Sequence, residues 1–358
     1  MPKSVDFFQE KKEWSKMKDQ ILGWYLVPYL SKVNKFKKTI VVVDGFAGAG
    51  KYQDGTDGSP LIICKKIDDL RAKGVSAIGI FVEQNAGCFR LLEKNIKEYT
   101  DKKIATILQD DFNAVTKFIV SIVKNSPIFF YLDPFGIKGL EFQDLELIFN
   151  KANQSSTELL INFSYRTFLR ELDVHPDLVK RVMGGNYYLK ILNTKYDDDP
   201  LQDAIIKENL ILDRYKDEYR NKGFKFVGSC PIMFKDDKRP KYHLIFATNH
   251  FDGLELMNDR MHDVFKNYYS ENRLFTCLPE NYGSDREELD RQIINLIQSG
   301  NCINRGKVRE SIIVRYFMRY KTGDINKRIS ELIKNGKIIS ETGKIRINDE
   351  VKLFVHEK

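Results

Sequence analysis

Residues 39–43, Thr39-Ile40-Val41-Val42-Val43, form an apolar, β-branched run that leads straight into Asp44-Gly45-Phe46-Ala47-Gly48-Ala49-Gly50. An apolar run this short, closed by glycines, predicts a strand buried on both faces, as in a parallel sheet. The glycines let the next turn be tight and let backbone N–H groups approach a ligand closely. The pattern then repeats. Strands are predicted at 39–44, 77–82, 104–108, 127–132 and 158–163, with helical spacing near 59–73, 85–98, 112–124 and 141–152. Such alternation predicts an α/β chain with a doubly wound, mostly parallel sheet that binds its ligand at the carboxyl ends of the strands.

Other segments are attached to this sheet. Residues 5–31 have helical spacing through Phe8, Trp14, Met17, Ile21, Trp24, Tyr25 and Leu30, which makes 1–35 an N-terminal helical segment. A polar helical insertion is predicted at 166–221, broken at Gly184-Gly185-Asn186. Strands near 225–234 and 241–248, joined by turn-forming Asp236-Asp237-Lys238-Arg239-Pro240, read as an antiparallel pair ending the sheet. A helix near 253–270 and a linker at 279–283 close a domain made of 36–165 and 222–280. Residues 284–358 form a separate unit, with helices at 285–298, 307–319 and 324–335 and a hairpin over 338–347 turning at Thr342-Gly343. Three helices and a basic hairpin predict a winged helix-turn-helix whose third helix offers Asn326, Lys327, Arg328 and Lys334, and whose hairpin offers Lys344 and Arg346, to nucleic acid.

Charge placement points the same way. The net charge is +8, and residues 305–346 alone hold 12 Lys/Arg against 4 Asp/Glu, while the first 40 residues hold 9 Lys against 4 acids. Two basic ends around a slightly acidic body predict contact with phosphates. Arg166 and Arg170, just past the fifth strand, are further candidates. The alternatives are that the lysines serve solubility and that the winged helix serves protein contact. Five scattered cysteines without a CxxC pair predict a reducing, cytoplasmic setting, with no disulfide framework and no metal site. No apolar stretch approaches the roughly 20 residues of a membrane span.

Three ligands compete for the glycine loop. Gly45 to Lys51 satisfies GxxxxGK, with a strand ending in Asp133, but Tyr52 stands where a phosphate loop needs Ser or Thr for Mg²⁺. A dinucleotide site needs GxGxxG and an acid about 20 residues on, whereas this loop is GxxGxG and Glu83 lies 39 residues beyond Asp44. S-adenosylmethionine carries no phosphate and needs close backbone passage, an acid for its ammonium and an acid for its ribose. Asp44, Gly45, Phe46, Ala47, Gly48 and Gly50 suit the amino acid end. Glu83 and Gln84 suit the ribose hydroxyls, and Asp110, Asp111 and Phe112 suit the adenine. Acids at successive strand ends, on one edge of the sheet, favour this third reading.

The fourth strand end supplies the chemistry. Asp133-Pro134-Phe135-Gly136 resembles the acid-Pro-Pro-aromatic signature of methyltransferases acting on exocyclic amino groups, although the second proline is missing, and it is similar to a motif of tRNA guanine-N2 methyltransferases. Asp133 and the Pro134 carbonyl would accept hydrogen bonds from a base amino group while Phe135 stacks on an extruded or single-stranded base.

Taken together, the Trp14/Lys18 helix, Asp44 to Gly48, Phe81-Val82-Glu83, Asp133 to Gly136 and the appended basic unit resemble the three-Cys-motif partner family (TcmP). The resemblance implies a class I methyltransferase-like Rossmann fold, S-adenosylmethionine as cofactor and a three-Cys-motif protein as partner, in bacteria or their phages. The expected activity is methylation of an exocyclic base nitrogen. The alternatives are a non-catalytic methyltransferase-like scaffold or DNA-binding partner in a mobile-element or defence operon and, behind it, a P-loop NTPase.

Overall fold

The computed structural model describes residues 11–233, 239–271, 285–300 and 304–355. The expected linker at 279–283, the start of the 5–31 helix and residues 236–238 lie outside them. Two compact units divide the chain, Met1–His250 and Phe251–Lys358.

The first unit is built on seven strands, β1 (Ile40–Asp44), β2 (Ala77–Val82), β3 (Ala105–Leu108), β4 (Ile128–Leu132), β5 (Thr157–Phe163), β6 (Phe226–Ile232) and β7 (Tyr242–Thr248). Their order in the sheet is β3-β2-β1-β4-β5-β7-β6. The first five run parallel, and β7 is antiparallel to both β5 and β6. Strands β1, β4 and β5 are buried along their whole length, which is why each reads as an unbroken apolar run. The order reverses between β1 and β4. At such a switch point the connections leave in opposite directions and open a crevice at the carboxyl ends of the strands. The sheet is mixed α/β and Rossmann-like, with the antiparallel seventh strand of a class I methyltransferase-like arrangement.

Helices α1 (Glu13–Val33), α2 (Ser59–Arg71), α3 (Ala86–Asn95), α4 (Lys97–Asp101), α5 (Phe112–Val123) and α6 (Glu146–Ala152) accompany the parallel strands. Helix α1 buries Ile21, Leu22, Tyr25, Leu26 and Tyr29, one face at helical spacing. The Tyr25 ring lies 5.6 Å from Phe129 and 5.3 Å from Phe246, and its hydroxyl donates to Glu158 at 2.5 Å. Burial pushes the Glu158 carboxyl up to about 7, against the hydrogen bonds from Tyr25 and Thr248. This buried contact fixes α1 to the sheet and so sets where its first turns reach.

The insertion expected at 166–221 consists of α7 (Tyr165–Val174), α8 (Pro176–Met183), α9 (Tyr187–Asn193) and α10 (Pro200–Asn221). Helix α10 buries Tyr215 and Tyr219 against Phe142, with ring centroids 5.8 and 5.0 Å away. Its buried Glu208 accepts from Arg239 at 2.7 and 3.0 Å and pairs with His243 at 2.7 Å, which pins the insertion to β7.

The second unit holds α11 (Phe251–Glu271), α12 (Arg286–Gln298), α13 (Arg305–Arg315), α14 (Thr322–Lys334), β8 (Ile338–Ser340) and β9 (Leu353–Val355). Helix α11, assigned from sequence to the sheet domain, belongs to this unit. Its buried Asn258 donates to Tyr320 O at 2.9 Å and accepts from Met318 N at 2.7 Å, closing the turn before α14. The expected 338–347 hairpin is corrected, because β8 pairs with 353–355 instead. Residues 344–347 form no strand, and Arg305 and Arg309 draw the following Asp349 in towards α13.

Candidate active site

A cleft of about 520 Å³ lies at the carboxyl ends of the parallel strands, and every residue lining it belongs to the first unit. Its floor is the loop after β1. Gly48 and Gly50 take φ of 61° and 75°, the left-handed region that favours glycine. At Gly45 a Cβ would stand 2.7 Å from Leu132 Cδ2 at the end of β4 and 2.8 Å from Phe112 Cδ2 at the start of α5, so any side chain there would force these two buried groups to shift. Asp44 is fully buried, accepting from Ser59 Oγ at 2.7 Å and from Phe46 N at 3.1 Å. Burial pushes its carboxyl up to about 7 despite these bonds, and the charges of Asp133 and Asp19 push the same way.

Glu83 closes the next strand. One oxygen accepts from Gly48 N at 2.8 Å and the other from Asn85 N at 2.6 Å, so the acid splints the glycine loop as well as facing the cleft. Each oxygen keeps a second lone pair for a ligand. Burial raises this carboxyl against the two backbone bonds. Gln84 lines the cleft and is exposed.

After β3, Asp110 and Asp111 also line the cleft, but Asp111 is mainly a helix cap, accepting from Asn113 N at 3.0 Å. Phe112 lines the cleft as well. It is 2% exposed, with Phe46 5.7 Å away and Phe130 6.4 Å away, so most of its surface is core. Beside it stands Asn113, which the sequence reading missed. Its Nδ2 donates to Asp144 at 2.9 Å, while its buried Oδ1 has no partner among the described residues.

At the end of β4, Asp133 is held from three elements. Its Oδ2 accepts from Lys18 Nζ of α1 at 2.5 Å and from Tyr131 OH at 3.2 Å; its Oδ1 accepts from Asn162 Nδ2 of β5 at 2.7 Å. The Asn162 Oδ1 is buried and lacks a partner among the described residues. Pro134 lines the wall, and Phe135 is 73% exposed at the mouth.

Helix α1 and the turn 51–57 complete the cleft. The Lys51 backbone pairs antiparallel with that of Asp57, and Lys51 is not among the lining residues, whereas Tyr52 is. Lys11 pairs with Asp19 at 2.5 Å and donates to Asp57 O at 2.6 Å, binding the turn to α1. Burial pushes the Asp19 carboxyl up to about 6, against Lys11 and Lys18. These two lysines are therefore internal counter-ions, Lys11 of Asp19 and Lys18 of Asp133.

The candidate nucleic-acid contacts fall in both units. Arg170 lines the cleft and Arg166 is exposed, donating to Arg239 O at 3.3 Å. In the second unit Lys327, Lys334, Lys344 and Arg346 are exposed and Asn326 is half-buried. Arg328 is instead engaged internally, with Asp290 at 2.5 and 2.8 Å and with Glu331. Among the described residues, no three His, Cys, Asp or Glu side chains could hold a metal, and no helix is long and apolar enough to cross a membrane.

No family model and no curated protein matches the chain. Solved structures with partial likeness include yhhF from Escherichia coli, at 15% identity and TM-score 0.25 over 39% of this chain and 65% of that one. The human methyltransferase 10 domain containing protein matches at 11% identity and TM-score 0.32, over 63% of this chain and 83% of that one. The DszA carbon methyltransferase matches at 11% identity and TM-score 0.39, over 68% of this chain and 56% of that one. Likenesses this slight decide nothing about substrate, and the sheet order itself carries the fold assignment.

Proposed function

We propose that this chain is an S-adenosylmethionine-dependent methyltransferase that modifies an exocyclic amino nitrogen of a nucleic acid base. The observation that carries the reading is the convergence on one cleft of Glu83, the glycine loop and Asp133-Pro134-Phe135, with the buried Asp44 bonded to Ser59 of the lining.

The residues fit the cofactor. The cleft's volume, about 520 Å³, lies within the roughly 300–1,000 Å³ of small-molecule sites. The glycine loop, backed by the buried Asp44, would hold the amino acid end, Glu83 the ribose, and the unpartnered Asn113 Oδ1 an N–H of the adenine amino group. When bound, the cofactor supplies an electrophilic methyl group. Lys51 is not among the residues lining the cleft, which speaks against a phosphate loop.

The chain's own residues then orient the acceptor. Asp133 Oδ1 and the Pro134 carbonyl accept hydrogen bonds from the amino group, which turns the nitrogen lone pair away from the ring. The buried Asn162 Oδ1 is a second acceptor beside them. Phe135, exposed at the mouth, stacks on a base taken out of its own stack. Positioning of this kind lowers the barrier without a strong base, because the proton leaves after transfer. The basic second unit, read as a winged helix, would carry the nucleic acid, and a three-Cys-motif protein would be the partner, as the resemblance implies.

Calorimetry tests the cofactor assignment. Wild type and Asp133→Ala are expected to bind S-adenosylmethionine alike, with Asn113→Ala about 10-fold weaker through one lost buried hydrogen bond. Binding of Mg-ATP without affinity for the methyl donor would reverse the assignment.

A further inference from the structure

Lys18 is 7% exposed at its side chain and sits with its ammonium 2.5 Å from Asp133 Oδ2, across 115 residues of sequence. An ammonium withdrawn from water is costly unless paired, and the apolar face of α1 would pack without it. The cost is accepted where it acts on one group. Asp133 is gripped at Oδ2 by Lys18 and Tyr131 and at Oδ1 by Asn162, so the plane of its carboxylate is fixed. With Lys18 and Tyr131 on Oδ2, the remaining lone pair of Oδ1 is the acceptor left to face the cleft.

Charge gives a second reason. The groups around Asp133 are Asp19 on α1, Asp44 on β1, Tyr131 on β4, Tyr52 on the 51–57 turn and Tyr242 on β7, whose ring lies 5.2 Å from the Lys18 ammonium. Asp19 has its own counter-ion in Lys11. Lys18 compensates Asp133, and without it the Asp133 carboxylate would face the cleft uncompensated, with the buried Asp44 near it.

We propose that Lys18 is a positioning residue for amino-group methylation, locking Asp133 so that Oδ1 receives the amino N–H of the acceptor base. This rests on the reading of the site given above. It touches neither the methyl group nor the reacting nitrogen.

The test combines turnover with structure. Lys18→Met keeps the length of the side chain and removes the charge. Its kcat is expected to fall about 10- to 100-fold, as for other groups that orient a functional ligand, with the methyl-donor Kd within about twofold of wild type. A crystal structure of Lys18→Met is expected to show Asp133 turned away from Asn162. Lys18→Ala is expected to regain turnover with n-butylammonium and not with n-butanol, a distinction that a packing role would not produce. Thermal melts confirm that each variant is folded. Unchanged kcat, an unmoved Asp133 carboxylate, or equal rescue by the neutral alcohol overturns the inference while leaving the methyltransferase reading intact. A wild type that transfers no methyl group to any nucleic acid overturns that reading, and the inference with it.

Discussion

Gly48 N donates to Glu83 Oε2 at 2.8 Å, joining the glycine turn after β1 to the end of β2. The acid that would grip a ribose is thus also the splint of the loop that would carry the amino acid end. Glu83→Ala is expected to weaken S-adenosylmethionine about 10- to 100-fold, the worth of hydrogen bonds to a charged group. Glu83→Gln, which keeps one acceptor, should fall between. Calorimetry decides, and equal affinities in all three proteins would remove Glu83 from the site.

Stability should fall between pH 4 and 7. Asp44 titrates near 7 in the folded chain, above its ordinary 3.8. Between those values the folded state holds a proton that the unfolded state has lost, so folding weakens as pH rises and levels off above 7. Burial is the main cause, and the contribution is on the order of 2–4 kcal/mol. Glu158, pushed to about 7, and Asp19, pushed to about 6, act with the same sign. Asp44→Asn should therefore flatten part of the slope in urea denaturation at pH 4.5 and 7.5. An unchanged slope would show that Asp44 is ionised throughout.

Arg328 and the pair Lys344/Arg346 should separate by assay. Arg328 is bonded twice to Asp290 with both side chains mostly covered, so Arg328→Ala should cost the second unit about 1–2 kcal/mol through an unpaired acid. Lys344→Ala/Arg346→Ala, at exposed positions, should leave stability unchanged. It should lower nucleic acid affinity and reduce the salt slope by about 2, one per lost phosphate contact. Fluorescence anisotropy across a salt series checks both, and the converse pattern would reassign the contact surface.

Where the sequence was informative, burial was the reason. Strands β1, β4 and β5 are covered on both faces, so their unbroken apolar runs marked them within a residue or two. The strand-end acids were legible because they punctuate those runs. Asp19, Asn113 and Asn162 were not, since each enters the cleft from an element whose own pattern is satisfied by packing or capping. Lys18 was legible only with Trp14, as part of the family resemblance, and its pairing 115 positions away could not be read from the helix pattern. The β8–β9 pairing was missed because Thr342-Gly343 has turn chemistry, while β8 pairs with 353–355, beyond the Asp349 that Arg305 and Arg309 hold.

The central claim concerns Asp133 and an amino nitrogen, and mass spectrometry of nucleosides tests it most directly. Nucleic acid incubated with the protein and methyl-labelled S-adenosylmethionine is expected to yield a base labelled on its exocyclic nitrogen. The Asp133→Ala protein should lose that product about 100-fold or more while still binding the methyl donor. Label on a ring atom or a sugar, or full product from Asp133→Ala, would contradict the account.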